Sequence, residues 1–144
     1  MKKLFLILAF ILTVAALTQG QSSDPLVTQC AMNAGPNTTY LKDFRVQLGK
    51  GSELPELRYK QVFPLSKNMK YRFTLCNAEN SNGELIMKIK DDAGRLILMS
   101  YDPKSGKTYS PVEFTCNRTG TYQILFDFRD FQQGSGVGII SLVK

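Results

Sequence analysis

Residues 111–128, PVEFTCNRTGTYQILFDF, decide the fold of this chain. Apolar and polar side chains alternate in residues 112–116 and again in residues 122–128. A period of two is typical of β-strands with one buried face. In the second run the large aromatic side chains share the buried face, so we expect Leu125 and Asp127 on the opposite, exposed face.

The residues between these two runs are typical of a tight turn. Asn117 favours a turn, and Gly120 tolerates a positive φ. We therefore expect the two runs to form a β-hairpin closed at Gly120. No stretch of the chain has the spacing of a catalytic motif, so the pattern indicates a fold rather than a reaction.

The same alternation predicts about eight strands, separated by short turn signals. They cover residues 40–48, 57–65, 70–76, 84–90, 95–101, 112–116, 122–128 and 137–143. The sequence DDAG at residues 91–94 predicts a hairpin between the fourth and fifth strands. We therefore expect residues 40–144 to form one antiparallel β-sandwich or jelly roll, with a closed barrel as the alternative. Residues 21–39 predict an irregular lead-in without a helix.

The first 20 residues have the pattern of a secretory signal peptide. Lys2 and Lys3 precede an apolar run, and small residues follow it, so we expect cleavage before Gln21. The apolar run is shorter than the roughly 20 residues that a membrane-spanning helix needs. The pattern is typical of a bacterial leader. It predicts an exported protein of the periplasm or the extracellular space, with no transmembrane segment after cleavage.

Composition argues against several classes of function. The net charge is +6, and Lys2 and Lys3 of the leader contribute part of it. The remaining charge is too small to indicate a nucleic-acid partner. The chain contains no histidine, which removes the usual general base and the usual zinc ligand.

Three cysteines are available for one disulfide in an oxidising compartment, which would leave one thiol free. Their spacing alone leaves all three pairings open. If the strands run up and down in chain order, Cys30 and Cys116 lie at the same end of the sheet. Cys76 then lies at the other end, too far away for a bridge. This arrangement favours a Cys30–Cys116 disulfide with Cys76 free.

The second half of the chain resembles a known secreted β-sandwich. The resemblance rests on KYRFTLCN, ELIMKIKDDAGRLILMSYD, VEFTCNRTGTYQILFDF and GVGIISLV, within residues 70–143. These runs resemble the bacterial pre-peptidase C-terminal domain. The resemblance implies the same architecture, although that family does not require Cys76 and Cys116. The chain also resembles small stand-alone exported bacterial proteins to which no activity is assigned.

Two groups of acidic residues are candidates for chemistry. Asp91, Asp92 and Asp102 are the candidate ligands for calcium, although the hairpin turn also explains the first two. We expect no other cofactor. Glu84, Glu113, Asp127 and Asp130 are candidates for the acid/base pair of a glycosidase. Their outward positions on strands predict a solvated surface instead.

Three aromatic residues, Tyr101, Tyr109 and Phe131, lie in or beside predicted loops. Aromatic side chains in such positions stack on sugar rings or contact a protein partner. The alternative is that they only cap the ends of the sandwich.

These features favour a non-catalytic, exported binding or envelope-accessory protein. We expect it to recognise a protein or a glycan of the envelope or of the secreted fraction, through loops or a strand edge. One alternative is a small secreted hydrolase with a carboxylate pair. Another is a structural or inhibitory subunit that pairs a partner strand with its own strand edge.

Overall fold

The structure is a computed structural model that describes residues 24–52 and 56–144. The leader predicted for residues 1–20 lies outside these residues. The described residues form an α-helix, eight strands and a short 3-10 helix. Their bounds are α1 Pro25–Asn33, β1 Thr38–Leu48, β2 Tyr59–Leu65, β3 Lys70–Asn77, β4 Leu85–Lys90, β5 Leu96–Met99, β6 Val112–Thr115, β7 Gly120–Phe128, the 3-10 helix Arg129–Phe131 and β8 Gly134–Val143.

The strands form two four-stranded sheets. The order is β1-β8-β3-β6 in the first sheet and β2-β7-β4-β5 in the second. All paired neighbours are antiparallel. The pairs β1 with β8, β2 with β7, β3 with β6 and β4 with β5 are those of one long antiparallel hairpin folded over itself. This is the strand order of a jelly roll, so the predicted antiparallel β-sandwich is confirmed and the closed barrel does not form.

The main core lies between the two sheets and is rich in phenylalanine. Phe44 of β1 meets Phe126 of β7 across the sandwich, with ring centroids 5.3 Å apart. Tyr59 of β2 packs edge-on against the same Phe126 ring, at 5.9 Å. A Cβ atom at Gly138 of β8 would lie 2.5 Å from the Phe126 ring, so the ring depends on the glycine for its space.

The predicted hairpin of residues 112–128 is not formed. β6 pairs with β3 in the first sheet, whereas β7 pairs with β2 and β4 in the second. Gly120 is the first residue of β7, opposite Leu65, and it is not among the residues with positive φ. The reason is that alternation identifies a buried face but not the sheet to which a strand belongs. In a jelly roll, β6 and β7 bury their faces from opposite sides of one core.

The second predicted hairpin, at residues 91–94, is confirmed. β4 pairs with β5, and Gly94 takes a φ of 81° at the turn. The backbone N–H of Gly94 donates to the carbonyl of Asp91 at 3.0 Å. The Asp91 carboxylate also accepts from the backbone N–H groups of Ala93 and Arg95, at 3.0 and 2.8 Å.

The lead-in contains a helix, contrary to the prediction of an irregular segment. Asp24 caps α1 by accepting from the backbone N–H of Leu26 at 3.0 Å, and Pro25 stands at its first turn. The helix buries only Val27 and Cys30, against Val137 and Ile139 of β8. Two buried residues are too few to produce a visible helical period. An isolated helix this short would be marginal in water, so tertiary contacts stabilise it.

The predicted Cys30–Cys116 disulfide is wrong. Cys30 of α1 is bonded to Cys76 of β3, with Cα atoms 5.8 Å apart. Cys116 is the free cysteine and is buried in the main core. The up-and-down arrangement failed because β3 lies beside β8 in the first sheet, directly under α1. Cys76 therefore faces the helix, whereas Cys116 faces the interior.

Candidate functional site

The outer face of the second sheet is covered around Leu125. Leu125 lies on the face of β7 that points away from the main core, where we expected an exposed side chain. It is instead buried with Leu57 and Ile86, and Tyr101 packs against this group. The segment that precedes β2 carries Leu57 over the sheet and provides the cover. The prediction of an exposed Leu125 is therefore wrong.

Asp127 lies on the same outer face and is also buried, with a side-chain exposure of 0%. Its carboxylate accepts from Arg58 Nη2 at 2.9 Å and from Arg58 Nε at 3.0 Å. The backbone N–H groups of Arg58 and Phe128 donate to it at 3.0 and 2.6 Å. The hydrogen bond to Asp127 raises the pKa of Arg58 further above its usual value. The prediction that Asp127 lies on a solvated surface is wrong, because its side chain is buried and paired with Arg58.

The Arg58–Asp127 pair connects the second sheet to two loops. Arg58 Nη1 donates to the carbonyl of Gly49 at 2.7 Å. The backbone N–H of Gly51 donates to the carbonyl of Phe131 at 2.8 Å. The guanidinium of Arg58 also lies over the Phe131 ring, 6.0 Å from its centroid. Arg58 therefore contacts both the loop of Gly49 and the ring of Phe131.

The backbone of residues 130–131 is strained. Asp130 and Phe131 have φ values of 57° and 54°, in the left-handed region that few non-glycine residues occupy. Such conformations cost of order 1–3 kcal/mol each and occur preferentially at functional sites. The backbone N–H of Arg129, just before them, donates to the carbonyl of Glu84 at 2.8 Å. The surrounding hydrogen bonds therefore hold this strained segment in place.

Tyr101 and Phe131 line one cavity of about 360 Å³ on the outer face of the second sheet. We call this cavity the aromatic pocket. Its lining residues are Leu57, Ile86, Tyr101, Pro103, Phe128, Arg129, Asp130 and Phe131. The structure thus brings together two of the three aromatic residues that the sequence indicated.

The aromatic pocket carries polar groups on its rim. Asp130 is exposed, and within the described part of the chain its carboxylate has neither a hydrogen bond nor an ion pair. Arg129 donates from Nη1 to the carbonyl of Gly106, and the same atom lies 3.7 Å from Glu84 Oε2. Aromatic faces beside a free carboxylate and a fixed guanidinium can stack on a ring and bond to its hydroxyl groups.

Tyr109, the third predicted aromatic residue, lines a neighbouring cavity of about 230 Å³. We call it the Tyr109 cavity. Its other lining residues are Leu75, Asn77, Glu84, Leu85, Thr108 and Ser110. Tyr109 is half exposed, and its backbone N–H donates to the carbonyl of Ser100 at 2.7 Å.

The candidate calcium ligands Asp91, Asp92 and Asp102 are not brought together. Among residues 24–52 and 56–144, no three acidic, cysteine or histidine side chains are grouped closely enough to hold a metal ion. The backbone N–H of Arg95 lowers the pKa of Asp91, and that of Lys104 lowers the pKa of Asp102. The carboxylates of Asp91 and Asp102 therefore each accept hydrogen bonds within their own turn.

One of the four candidate acid/base residues lies on the first sheet, and the other three lie on or beside the second sheet. Glu113 lies on β6 of the first sheet, where Lys70 and Arg72 contact it at 2.8 and 2.6 Å. Those two cations lower its pKa. Asp127 lies on the second sheet, in the pair described above. Glu84 accepts from the hydroxyl of Thr108, and Asp130 stands at the rim of the aromatic pocket.

Sequence reasoning missed Arg58, the residue that organises this site. A signal for it existed, because Asp127 stands between Phe126 and Phe128 in the run ILFDF. An acidic residue within such an apolar strand needs a basic partner if the outer face is covered. The sequence does not identify that partner, which lies 69 residues away.

No family model and no curated protein matches the sequence. The resemblance to the pre-peptidase C-terminal domain therefore stays a prediction. No helix within the described residues is long and apolar enough to cross a membrane.

Proposed function

We propose that this protein is a non-catalytic, exported binding protein that takes a glycan into the aromatic pocket. The observation that carries the proposal is that Tyr101 and Phe131 line one cavity together with the free carboxylate of Asp130. The C–H face of a sugar ring packs on an aromatic ring, and its hydroxyl groups donate to a carboxylate. A purely apolar partner would leave Asp130 without a hydrogen bond.

The pocket is fixed before any ligand arrives. Phe131 is held by the Arg58–Asp127 pair and by the hydrogen bond from Gly51. Tyr101 packs on the buried side chains of Leu57 and Ile86 on the outer face. A preformed site binds with a smaller entropic cost than a mobile one. This fixed geometry supports recognition of a rigid ring.

The size of the pocket suits a small group. A volume of about 360 Å³ is at the lower end of the roughly 300–1,000 Å³ that is usual for ligand sites. It accommodates the end or one face of a glycan rather than a large cofactor. This supports recognition of individual sugar rings at the protein surface.

The Cys30–Cys76 disulfide supports an exported protein. Disulfides form and persist in oxidising compartments, and the predicted leader directs the chain to one. Glycans of the cell envelope and of the surroundings are abundant in such compartments. We therefore place the proposed ligand there.

The proposal is tested with the purified mature protein on a glycan array, followed by calorimetric titration of the glycans that bind. Tyr101→Ala and Phe131→Ala are each expected to lower the affinity by about tenfold or more. The matched control is Tyr40→Ala, an exposed tyrosine on β1 of the first sheet. Equal losses in all three variants would contradict the proposal.

The same experiment separates the alternatives. Release of free sugar from a bound glycan would favour a hydrolase, and chromatography of the titration mixture detects it. The proposal is wrong if no glycan binds and the protein instead retains one envelope protein through its strand-edge residues.

A further inference from the structure

We infer that the binding site extends from the aromatic pocket into the Tyr109 cavity, so that its ligand is a chain of sugar rings rather than a single sugar. This inference rests on the proposed function, because it names the form of the glycan. It is drawn from the shared wall between the two cavities.

The wall consists of Glu84 and Arg129. Glu84 lines the Tyr109 cavity, and Arg129 lines the aromatic pocket. Arg129 Nη1 lies 3.7 Å from Glu84 Oε2, and the backbone N–H of Arg129 donates to the carbonyl of Glu84 at 2.8 Å. The two cavities are therefore immediate neighbours.

The top of this wall is polar and open to solvent. The Arg129 and Glu84 side chains are 36% and 45% exposed, so both remain accessible to a ligand that crosses between the cavities. A guanidinium donates to hydroxyl oxygens, and a carboxylate accepts from hydroxyl groups. A glycan chain that crosses the wall can therefore form hydrogen bonds with both side chains. An apolar chain could not form these hydrogen bonds.

The Tyr109 cavity has the composition of a second sugar subsite. Tyr109 is 49% exposed, so its side chain is accessible to a ligand. The side-chain oxygen of Asn77 accepts from the backbone N–H of Leu85 at 2.7 Å. This hydrogen bond fixes the amide and leaves an N–H₂ group as a donor for a ligand.

One loop, residues 101–109, connects the two cavities. Tyr101 pairs with Thr108 in an isolated β-bridge, and the backbone N–H of Asp102 donates to the carbonyl of Lys107 at 2.8 Å. Arg129 also donates from Nη1 to the carbonyl of Gly106 in this loop. The same loop therefore carries one aromatic residue of each cavity, Tyr101 in the aromatic pocket and Tyr109 in the Tyr109 cavity.

The test is calorimetric titration of the mature protein with β-1,4-linked gluco-, manno- and xylo-oligosaccharides of increasing length, each series starting from its monosaccharide. We expect the affinity for a recognised series to rise by about tenfold or more from the single ring to the longer chains. Tyr109→Ala is expected to abolish most of this gain. Tyr40→Ala, the matched exposed tyrosine on the first sheet, should keep it.

The outcomes separate this inference from the proposed function. Affinity that is independent of length, or a gain that survives in Tyr109→Ala, overturns the extended site and leaves the aromatic pocket standing. Absence of binding at every length, together with an empty glycan array, overturns both. Thermal unfolding of Tyr109→Ala confirms that the variant is folded when its affinities are compared.

Discussion

Arg58 forms an ion pair with the buried Asp127 on the outer face of the second sheet, with Nη2 and Oδ1 2.9 Å apart. The pair anchors the segment before β2 to β7, and the Arg58 guanidinium lies over the Phe131 ring. The stability of the fold and the proposed ligand binding should therefore depend on the same contact.

Arg58→Met should lower the free energy of unfolding by about 3–5 kcal/mol, because it leaves Asp127 buried without its partner. Urea unfolding measures the loss. The control is Arg118→Met, which breaks the Arg118–Asp92 pair, whose side chains are 62% and 55% exposed. An exposed pair contributes about 1 kcal/mol or less. Equal losses in the two variants would show that the Arg58–Asp127 pair does not have the role assigned to it.

The Cys30–Cys76 disulfide should stabilise the protein by lowering the conformational entropy of the unfolded chain. The two cysteines are 46 positions apart in the sequence, and removal of the bond in the Cys30→Ala, Cys76→Ala double variant is expected to cost about 2–4 kcal/mol. Hydrogen exchange should show that α1 loses its protection first, since the bond fastens this short helix. A non-reducing peptide map that joins Cys116 to either of the other cysteines would contradict the assignment.

Two glycines at strand positions should respond differently to the same substitution. Gly138→Ala places a methyl group against the Phe126 ring and is expected to cost about 1–3 kcal/mol. Gly120→Ala should cost much less, because nothing lies within 4 Å of its added Cβ and its φ is not positive. The midpoints of urea unfolding measure both effects. A larger loss at Gly120 would mean that the packing described for β8 is wrong.

Acid should weaken the fold partly through Asp91. Its pKa is lowered from the ordinary value of 3.8, chiefly by the backbone N–H of Arg95. A carboxylate with a lower pKa in the folded state stabilises the fold above its unfolded pKa, and that contribution is lost as the pH falls through the folded pKa. The free energy of unfolding should therefore fall below about pH 4.

Asp91→Asn tests this assignment. Asparagine keeps an oxygen acceptor for the backbone N–H groups but has no charge to lose. Its free energy of unfolding should depend less steeply on pH below about pH 4 than that of the wild type. Identical slopes in the two proteins would show that Asp91 does not contribute to acid sensitivity.

Much of the fold could be predicted from the sequence because strand alternation is a local property. The third strand was expected at residues 70–76 and is found at Lys70–Asn77. Strand partners could not be predicted in the same way. The partners of β6 and β7 lie far away in sequence, and an alternating pattern is the same in either sheet.

The candidate site was predictable only in part, for a related reason. Tyr101 and Phe131 were identified as loop aromatics, and the structure places both in one pocket. Arg58 and the buried state of Leu125 were not predicted, because an outward position on a strand was equated with exposure. The segment before β2 covers that face, and no local pattern in β7 reports a cover supplied from elsewhere in the chain.

Chemical-shift mapping by NMR tests most directly whether the aromatic pocket binds a glycan. A glycan selected on the array is titrated into the isotope-labelled mature protein. We expect the largest shifts at the backbone N–H groups of Tyr101, Asp130 and Phe131, and we expect Phe131→Ala to need about tenfold more glycan, or still more, for shifts of the same size at Tyr101 and Asp130. Shifts confined to the first sheet, or an unchanged titration in Phe131→Ala, would contradict binding in the aromatic pocket.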